Sequence, residues 1–205
     1  MNAAGQLYIV AAPSGAGKTS LVKALLASLD GVEVSVSHTT RSPRPGETHG
    51  VHYHFVTLDV FRSLVGEGRF LEHAEVFGNC YGTSRDTVAA RLAAGVDVIL
   101  EIDWQGARQV RSIFTDALGV FIVPPSLAEL RRRLTGRGQD AAEVIEQRMD
   151  EARAELSHWQ EFDYVVVNDD FAQALDALRA VFVANRQRRE VQARRHSELF
   201  TRLVG

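Results

Sequence analysis

Sulfur chemistry is almost absent from this 205-residue chain: its single cysteine, Cys80, permits no internal disulfide and no cysteine-ligated zinc site. A reducing, cytoplasmic setting is the expectation. A basic excess is missing too, since 23 Lys and Arg stand against 26 Asp and Glu for a formal charge of −3. That balance excludes binding to nucleic acid by bulk electrostatics, so any anion site must be local. No segment approaches the roughly 18 consecutive apolar residues of a membrane-spanning helix. The first apolar run, LYIVA, lacks a basic flank and passes into a glycine-rich motif, which does not read as a signal peptide. Repeats and low-complexity tracts are likewise lacking. What remains, 45% apolar and 24% charged residues, is the composition of an ordinary globular protein, expected to form one domain with excursions.

The order of patterned segments indicates α/β architecture. LYIVA (7 to 11) is a short apolar run, and after a glycine loop Leu21, Leu25 and Leu29 recur at helical spacing. VEVSVS (32 to 37) alternates as a half-buried strand does. Residues 38 to 83 then read as an insertion rich in turns and strands, containing VHYHFV, a short helix at 58 to 65, and RFLEHAEVF. Ser84 is placed to cap a helix running to Ala94, and VDVILEI (96 to 102) is too continuously apolar for anything but a central parallel strand. GVFIV (119 to 123) and YVVVN (164 to 168) read as further buried strands. SLAE (126 to 129) and DAAE (140 to 143) have the form of capping boxes. The first opens an arginine-rich helix broken at TGRG, the second a helix to about His158, and residues 170 to about 200 read as helix. Strands alternating with helices predict a mainly parallel sheet.

APSGAGKT (12 to 19) carries the most local chemistry. It has the form GxxxxGK[ST] with Ala12 at the first glycine, and it lies between a predicted strand and a predicted helix, the context that motif requires. Ser14, Gly15, Ala16, Gly17, Lys18 and Thr19 can turn successive backbone N–H groups toward one point, where the helix adds its positive end. Lys18 would reach the β and γ phosphates of ATP, and Thr19 would offer a hydroxyl to Mg2+. Asp103 ends the buried strand VDVILEI, where ligands of parallel sheets bind. The motif implies a nucleoside triphosphate and does not name the acceptor.

APSGAGKT, SHTTRSPRPGE followed by GVHYHFV, FLEHAEVFGNCYGTS, ILEIDWQG, PPS, GRG and VVVND occur in an order that resembles the guanylate kinases, a group of P-loop nucleoside monophosphate kinases. The resemblance covers nearly the whole chain. It implies a P-loop NTPase fold with a central parallel sheet flanked by helices, a mixed α/β GMP-binding insertion and a helical lid. The implied division is a core of 1–36, 88–127 and 157–205, a GMP-binding domain of 37–87 and a lid of 128–156. By matching position, Ser37, Arg41, Arg44, Tyr53, Glu72, Tyr81, Thr83 and Asp103 would meet GMP. Asn168 would lie near the adenine of ATP, and Arg137 and Arg148 would act from the lid beside Lys18 and Arg41. Metal-side candidates are Thr19 and, through water, Asp103. The implied reaction transfers the ATP γ-phosphoryl to GMP or dGMP in purine nucleotide metabolism and GMP recycling.

Guanine chemistry agrees with that set. Carboxylates at Glu72 and Asp103 can accept from guanine N1 and N2, and hydroxyls at Ser37 and Thr83 can donate to O6. Arg41 and Arg44 offer forks for a phosphate, in a loop stiffened by Pro43 and Pro45, while Tyr53 and Tyr81 offer phenolic donors. His49, His52 and His54 cluster without a convincingly spaced third metal ligand and read as solvated. Cys80 reads as an ordinary small side chain, and Trp104 and Trp159 as packing residues. The arginine-rich tail, with Leu199, Phe200 and Leu203, reads as a solvated helix end, with self-association into a homo-oligomer as the sharper alternative. No nucleic acid or membrane partner is expected. A protein-binding module and a sugar-phosphate kinase are the rival functions; intact Lys18, Thr19 and Asp103 weigh against the first, and the SHTTR and YGTS elements against the second.

Overall fold

LYIVA forms β1 (Leu7–Ala11), and all five residues are buried, as a strand covered on both faces requires. The computed structural model describes residues 5–76, 78–136 and 142–205. After β1 come α1 (Lys18–Ser28), β2 (Val32–Val34), β3 (His38–Thr39), β4 (His54–Phe55), α2 (Leu58–Gly66), β5 (Phe70–Val76), β6 (Asn79–Ser84) and α3 (Arg85–Ala93). The chain continues through β7 (Asp97–Glu101), α4 (Trp104–Ile113), β8 (Leu118–Val123), α5 (Leu127–Thr135) and α6 (Ala142–Leu156). A 3-10 turn (Trp159–Glu161) leads to β9 (Tyr164–Val167), α7 (Phe171–Arg186), α8 (Arg189–Arg195) and α9 (Ser197–Val204).

Five strands form one sheet in the order β2-β7-β1-β8-β9, with every pairing parallel. Successive side chains of a strand point to opposite faces, and β1 divides accordingly. Tyr8 and Val10 pack with Leu21 and Leu25 of α1 and Leu178 and Phe182 of α7. Leu7 and Ile9 pack with Val88 and Leu92 of α3 and Val110 of α4. A second sheet, β4-β3-β6-β5, mixes one parallel pairing with antiparallel ones and spans residues 38 to 84, as the insertion predicts. Leu130 and Leu134 of α5 meet Met149 and Ala152 of α6 in a small separate core.

Several expectations require correction. VEVSVS pairs as a strand only through Val34, with Ser35 adding one backbone bond to Ile99 before the chain leaves for the second sheet. YVVVN is not a buried strand: β9 is the sheet edge, with Val166 buried but Val167 54% exposed. At SLAE only half the box forms. Ser126 accepts from the Glu129 N–H, but the Glu129 carboxylate turns to Arg132 and Arg133, because guanidinium forks outcompete a neutral backbone donor. DAAE begins outside the described residues. The tail is three helices rather than one, and the Gln192 side chain donates to the Arg186 carbonyl left open at the break. No helix among the described residues is long and apolar enough to cross a membrane.

Candidate active site

The loop between β1 and α1 is held by what surrounds it. Gly15 and Gly17 both have positive φ, 89° and 97°, a conformation that side chains with a Cβ adopt at a cost. Space is tight as well: a Cβ on Gly17 would sit 2.3 Å from Asn168 Nδ2, and one on Gly15 would sit 2.9 Å from Leu134 Cδ2. Asn168 is buried and its Nδ2 donates to the Ala16 carbonyl at 2.7 Å. Asn168 is expected beside adenine; here its amide is committed to the loop backbone, which it pins from the end of β9. Lys18 begins α1 directly behind the turn. Desolvation pulls the Lys18 ammonium below its ordinary value, and the nearby Glu101, Glu155 and Asp103 carboxylates oppose that fall.

A cleft of ≈ 450 Å³ opens beside the loop and collects eight of the expected residues: Lys18, Ser37, Arg41, Arg44, Tyr53, Glu72, Tyr81 and Asp103. Glu47 organises its basic end. Both Glu47 oxygens accept from Arg41 Nη2, at 2.8 and 2.9 Å, and Oε2 also accepts the Arg44 N–H at 2.7 Å. Those bonds hold the Glu47 carboxyl down at about 2, chiefly through Arg41. Arg41 Nη1 donates to the Ser42 carbonyl, and its guanidinium carbon lies 5.5 Å from the centre of the Tyr53 ring. Tyr53 and Tyr81 meet edge to face at 6.0 Å, and burial raises the Tyr53 phenol above its ordinary value. Glu47 was not among the expected residues, although it follows Pro45 and Gly46 in SHTTRSPRPGE, and a carboxylate three and six residues after two arginines is a readable signal.

The other end of the cleft is acidic, with Glu72, Glu101 and Asp103 in its lining. Glu72 is buried, and burial pushes its carboxyl up to about 6, against the opposing pull of a 2.5 Å hydrogen bond donated by Thr83. Thr83 is expected to donate to guanine O6; its single hydroxyl hydrogen here goes to Glu72, whose carboxyl group it orients. Asp103 caps α4, with Oδ1 accepting the Gly106 N–H at 2.8 Å. Thr19 Oγ1 lies 3.5 Å from Glu101 Oε2, so Glu101, rather than Asp103, is the carboxylate at the Thr19 hydroxyl. Two neighbouring hard oxygen donors are a donor set that suits Mg2+.

Arg148 does not line this cleft. It lines an adjoining one of ≈ 750 Å³, together with Ser14, Trp104 and Glu151, and the two clefts share Asp103, Glu155 and Val76. Arg137 lies outside the described residues. Glu155 is a residue the sequence reasoning missed: its Oε2 is buried with no hydrogen-bond partner among the described residues, and burial pushes the carboxyl up to about 7. Its signal was spacing, since Arg148 and Glu155 stand seven apart, two turns along one face of α6.

The histidines rearrange relative to expectation. His38 and His49 approach His54 at 4.6 and 5.6 Å, while His52 Nδ1 instead accepts the Thr48 N–H in the preceding turn. Among the described residues no three of His, Cys, Asp or Glu are placed to hold a metal ion. Cys80 is half-buried, with its N–H on Thr40 Oγ1. Trp104 packs against His158 as expected, but Trp159 is 47% exposed and packs into no core.

Comparison with known proteins bears on this arrangement directly. A family model described as guanylate kinase matches residues 4–185. A guanylate kinase of Alkalilimnicola ehrlichii is 62% identical over 201 residues, covering 98% of this chain and 99% of that relative. One of Salmonella typhimurium is 57% identical over 205 residues, covering 99% of each. The crystal structure of guanylate kinase from Anaplasma phagocytophilum superposes with a TM-score of 0.74 at 33% identity, covering 95% of this chain and 97% of that one. With a phosphate loop, a paired-arginine pocket and a buried carboxylate opening on one cleft, and with relatives of this identity along its whole length, the chain belongs to the guanylate kinase family.

Proposed function

We propose that the chain catalyses ATP + GMP → ADP + GDP in purine nucleotide metabolism and GMP recycling, and that dGMP is also accepted. The observation that carries this reading is the ≈ 450 Å³ cleft, whose lining joins Lys18 to Arg41, Tyr53 and Tyr81 and to Glu72 and Asp103. An oxygen of the GMP phosphate attacks the γ-phosphorus in line, the bond to the bridging oxygen breaks, and ADP leaves with that oxygen. The nucleophile is already ionised, so no general base is needed. Rate enhancement comes from alignment and from charge placed around the transferring group.

Each residue then has a task. The N–H groups of Ser14 to Thr19 and the Lys18 ammonium hold the ATP phosphates. Arg41 and Arg44, pre-set by Glu47, bind the acceptor phosphate with the Tyr53 and Tyr81 hydroxyls. Glu72, aimed by Thr83, accepts from guanine with Asp103, and Ser37 donates to O6; adenine, with its donor and acceptor positions exchanged, leaves those groups unpaired. Arg148, with Arg137, neutralises charge from the element spanning 128–156, which acts as a lid over a core of 1–36, 88–127 and 157–205. Residues 37–87 form the acceptor domain, a division supported by the second sheet ending at Ser84. Thr19, with Glu101 or Asp103 through water, would hold Mg2+, which supplies charge neutralisation across the β and γ phosphates.

The test is ADP release with ATP and Mg2+ against GMP, dGMP, AMP, CMP and UMP, with Lys18→Ala as control. Turnover with GMP and dGMP that vanishes in the control is expected; turnover with AMP at a comparable rate would overturn the base assignment. A reducing cytoplasmic location is proposed with it, consistent with the half-buried thiol of Cys80. Self-association is proposed through α9, whose Leu199, Phe200 and Leu203 are exposed. A solution mass that falls on Leu203→Glu supports this, and a monomeric mass for the unaltered chain ends it.

A further inference from the structure

At the edge of the larger cleft, which Trp104 lines, one cluster stands at the point where α6 returns to the core. His158, two residues past the end of α6, lies flat on Trp104 with ring centroids 3.7 Å apart and planes 12° from parallel. The Arg108 guanidinium carbon also sits over the Trp104 ring, 4.6 Å from its centroid. Glu161 ties the parts together: His158 Nδ1 is 2.6 Å from one carboxylate oxygen, and Arg108 donates from Nε and Nη2 at 2.8 and 2.6 Å. Arg111 adds a bond to the Glu161 carbonyl at 2.8 Å. The short segment from His158 to Glu161 is thus gripped by two turns of α4.

Both sides of that grip lead to the site. Trp104 follows Asp103, which caps α4 and lines both clefts. On the other side, α6 carries Arg148 and Glu155 into the cleft wall, and its far end connects through residues outside the described set. α6 is also packed along its length on α5, through Met149 and Ala152 against Leu130 and Leu134, so the two helices turn together, and the anchor where α6 returns to the core sets where a side chain two turns away arrives. Arg148 and Asp103 are referenced to the same stacked pair.

We propose that Trp104 and His158 are positioning residues for phosphoryl transfer: their stack is the fulcrum that fixes the C-terminal end of α6 and brings Arg148 into register over the acceptor. The inference rests on the reading of this chain as an ATP:GMP phosphotransferase with α6 in its lid. The pair touches neither reacting atom. Its loss should leave both nucleotides bound while the lid arginine closes out of register, and a misplacement of about 1 Å can lower a rate by as much as 10²-fold. A fulcrum also stays stacked through closure, whereas a latch opens.

The experiment uses the full chain with Trp159→Phe, which leaves Trp104 as the only tryptophan. Steady-state kinetics and Trp104 emission are compared for His158, His158→Ala and His158→Phe, with thermal melts to confirm folding. For His158→Ala the expected result is a fall in kcat of about 10-fold or more with both KM values within about threefold, and His158→Phe, which keeps a flat ring, recovers most of the rate. Emission should rise on His158→Ala, as the quenching imidazole is lost, and should stay unchanged when the Trp159→Phe chain with His158 intact binds GMP with a non-hydrolysable ATP analogue. Unchanged kcat in His158→Ala, failure of His158→Phe to recover it, or an emission jump on nucleotide binding each overturns the fulcrum. Should His158→Ala not fold, the contrast of Trp104→Phe, which keeps a ring, with Trp104→Leu, which does not, decides the matter by the same kcat criterion. Absence of GMP turnover in wild type would instead overturn the functional reading on which the inference stands.

Discussion

The two halves of the cleft are built by different means. On the phosphate side, backbone does the work: two left-handed glycines, an asparagine bonded to a loop carbonyl, and a helix start, all backed by a sheet whose central strand is wholly buried. On the acceptor side, side chains do it, on a sheet whose β3 and β4 are two residues each, with the arginines aimed by a carboxylate in their own loop. The geometry of a backbone site is fixed by packing and survives single changes away from its glycines, even where such a change removes a charge the chemistry needs. A side-chain site holds its geometry through charge and hydrogen bonds, so single substitutions and pH reach it directly.

The largest effect that tests this contrast is on the phosphate side. Lys18→Ala should lower kcat on the order of 10³-fold, since it removes a charge that acts on the transferring group. GMP binding, measured by calorimetry, should barely change. A comparable loss of GMP affinity would mean that the two halves do not function separately. Next comes Glu72→Gln, which keeps the shape and replaces an acceptor by a mixed group; it should raise the KM for GMP about 10²-fold, with ATP parameters preserved. Steady-state kinetics at saturating ATP decide it, and an unaltered KM removes Glu72 from the base pocket.

Legibility follows the same division. The phosphate loop can be read from a short stretch, because GAGKT after LYIVA leaves few other foldings and the glycines are demanded by geometry. The parallel character of the main sheet and the burial of VDVILEI follow from apolar patterning, whereas the strand order does not. The proposed acceptor site rests on family resemblance, since its residues are scattered from Ser37 to Asp103 and no local spacing joins them. What escaped were contacts made across the fold: Glu101 on Thr19, Thr83 spending its hydrogen on Glu72, Asn168 on the loop carbonyl, and Glu155 beside Lys18. The exposure of β9 escaped for a similar reason, since VVV reads as buried whether a strand is central or at an edge.

Glycine substitutions sharpen the comparison at smaller magnitude. Gly17 and Gly46 both have positive φ, but a Cβ on Gly17 meets Asn168 at 2.3 Å whereas one on Gly46 meets nothing within 4 Å. Gly46→Ala should therefore cost about 1–2 kcal/mol for the left-handed backbone alone. Gly17→Ala should cost more and weaken ATP binding as the Asn168 contact is displaced. Urea unfolding of the two variants makes the comparison, and equal losses would mean that the surroundings of the phosphate loop yield freely.

The smallest expected effect is a pH dependence of the second sheet, where two kinds of group act in opposite directions. Burial raises Glu72 from 4.5 to about 6, so its folded form binds a proton more readily than its unfolded form. The stabilisation from this preference is complete below 4.5 and is lost as pH rises through about 6. His38 and His54 are lowered from 6.5, first by burial and then by neighbouring imidazoles, so their folded forms favour neutrality. Their contribution is present above 6.5 and is lost as pH falls through the lower folded values. Acid should therefore loosen the second sheet through the histidines while Glu72 partly offsets it. Hydrogen exchange at pH 7.5 and 5.5 resolves the two: amides of β3 and β4 should exchange from a less stable state at the lower pH, after correction for intrinsic rates, while those of β1 and β7 hold. His54→Phe should flatten the change and Glu72→Gln should steepen it. An equal acid response in both sheets would place the sensitive groups in the core and dissolve the distinction between a backbone-built and a side-chain-built half.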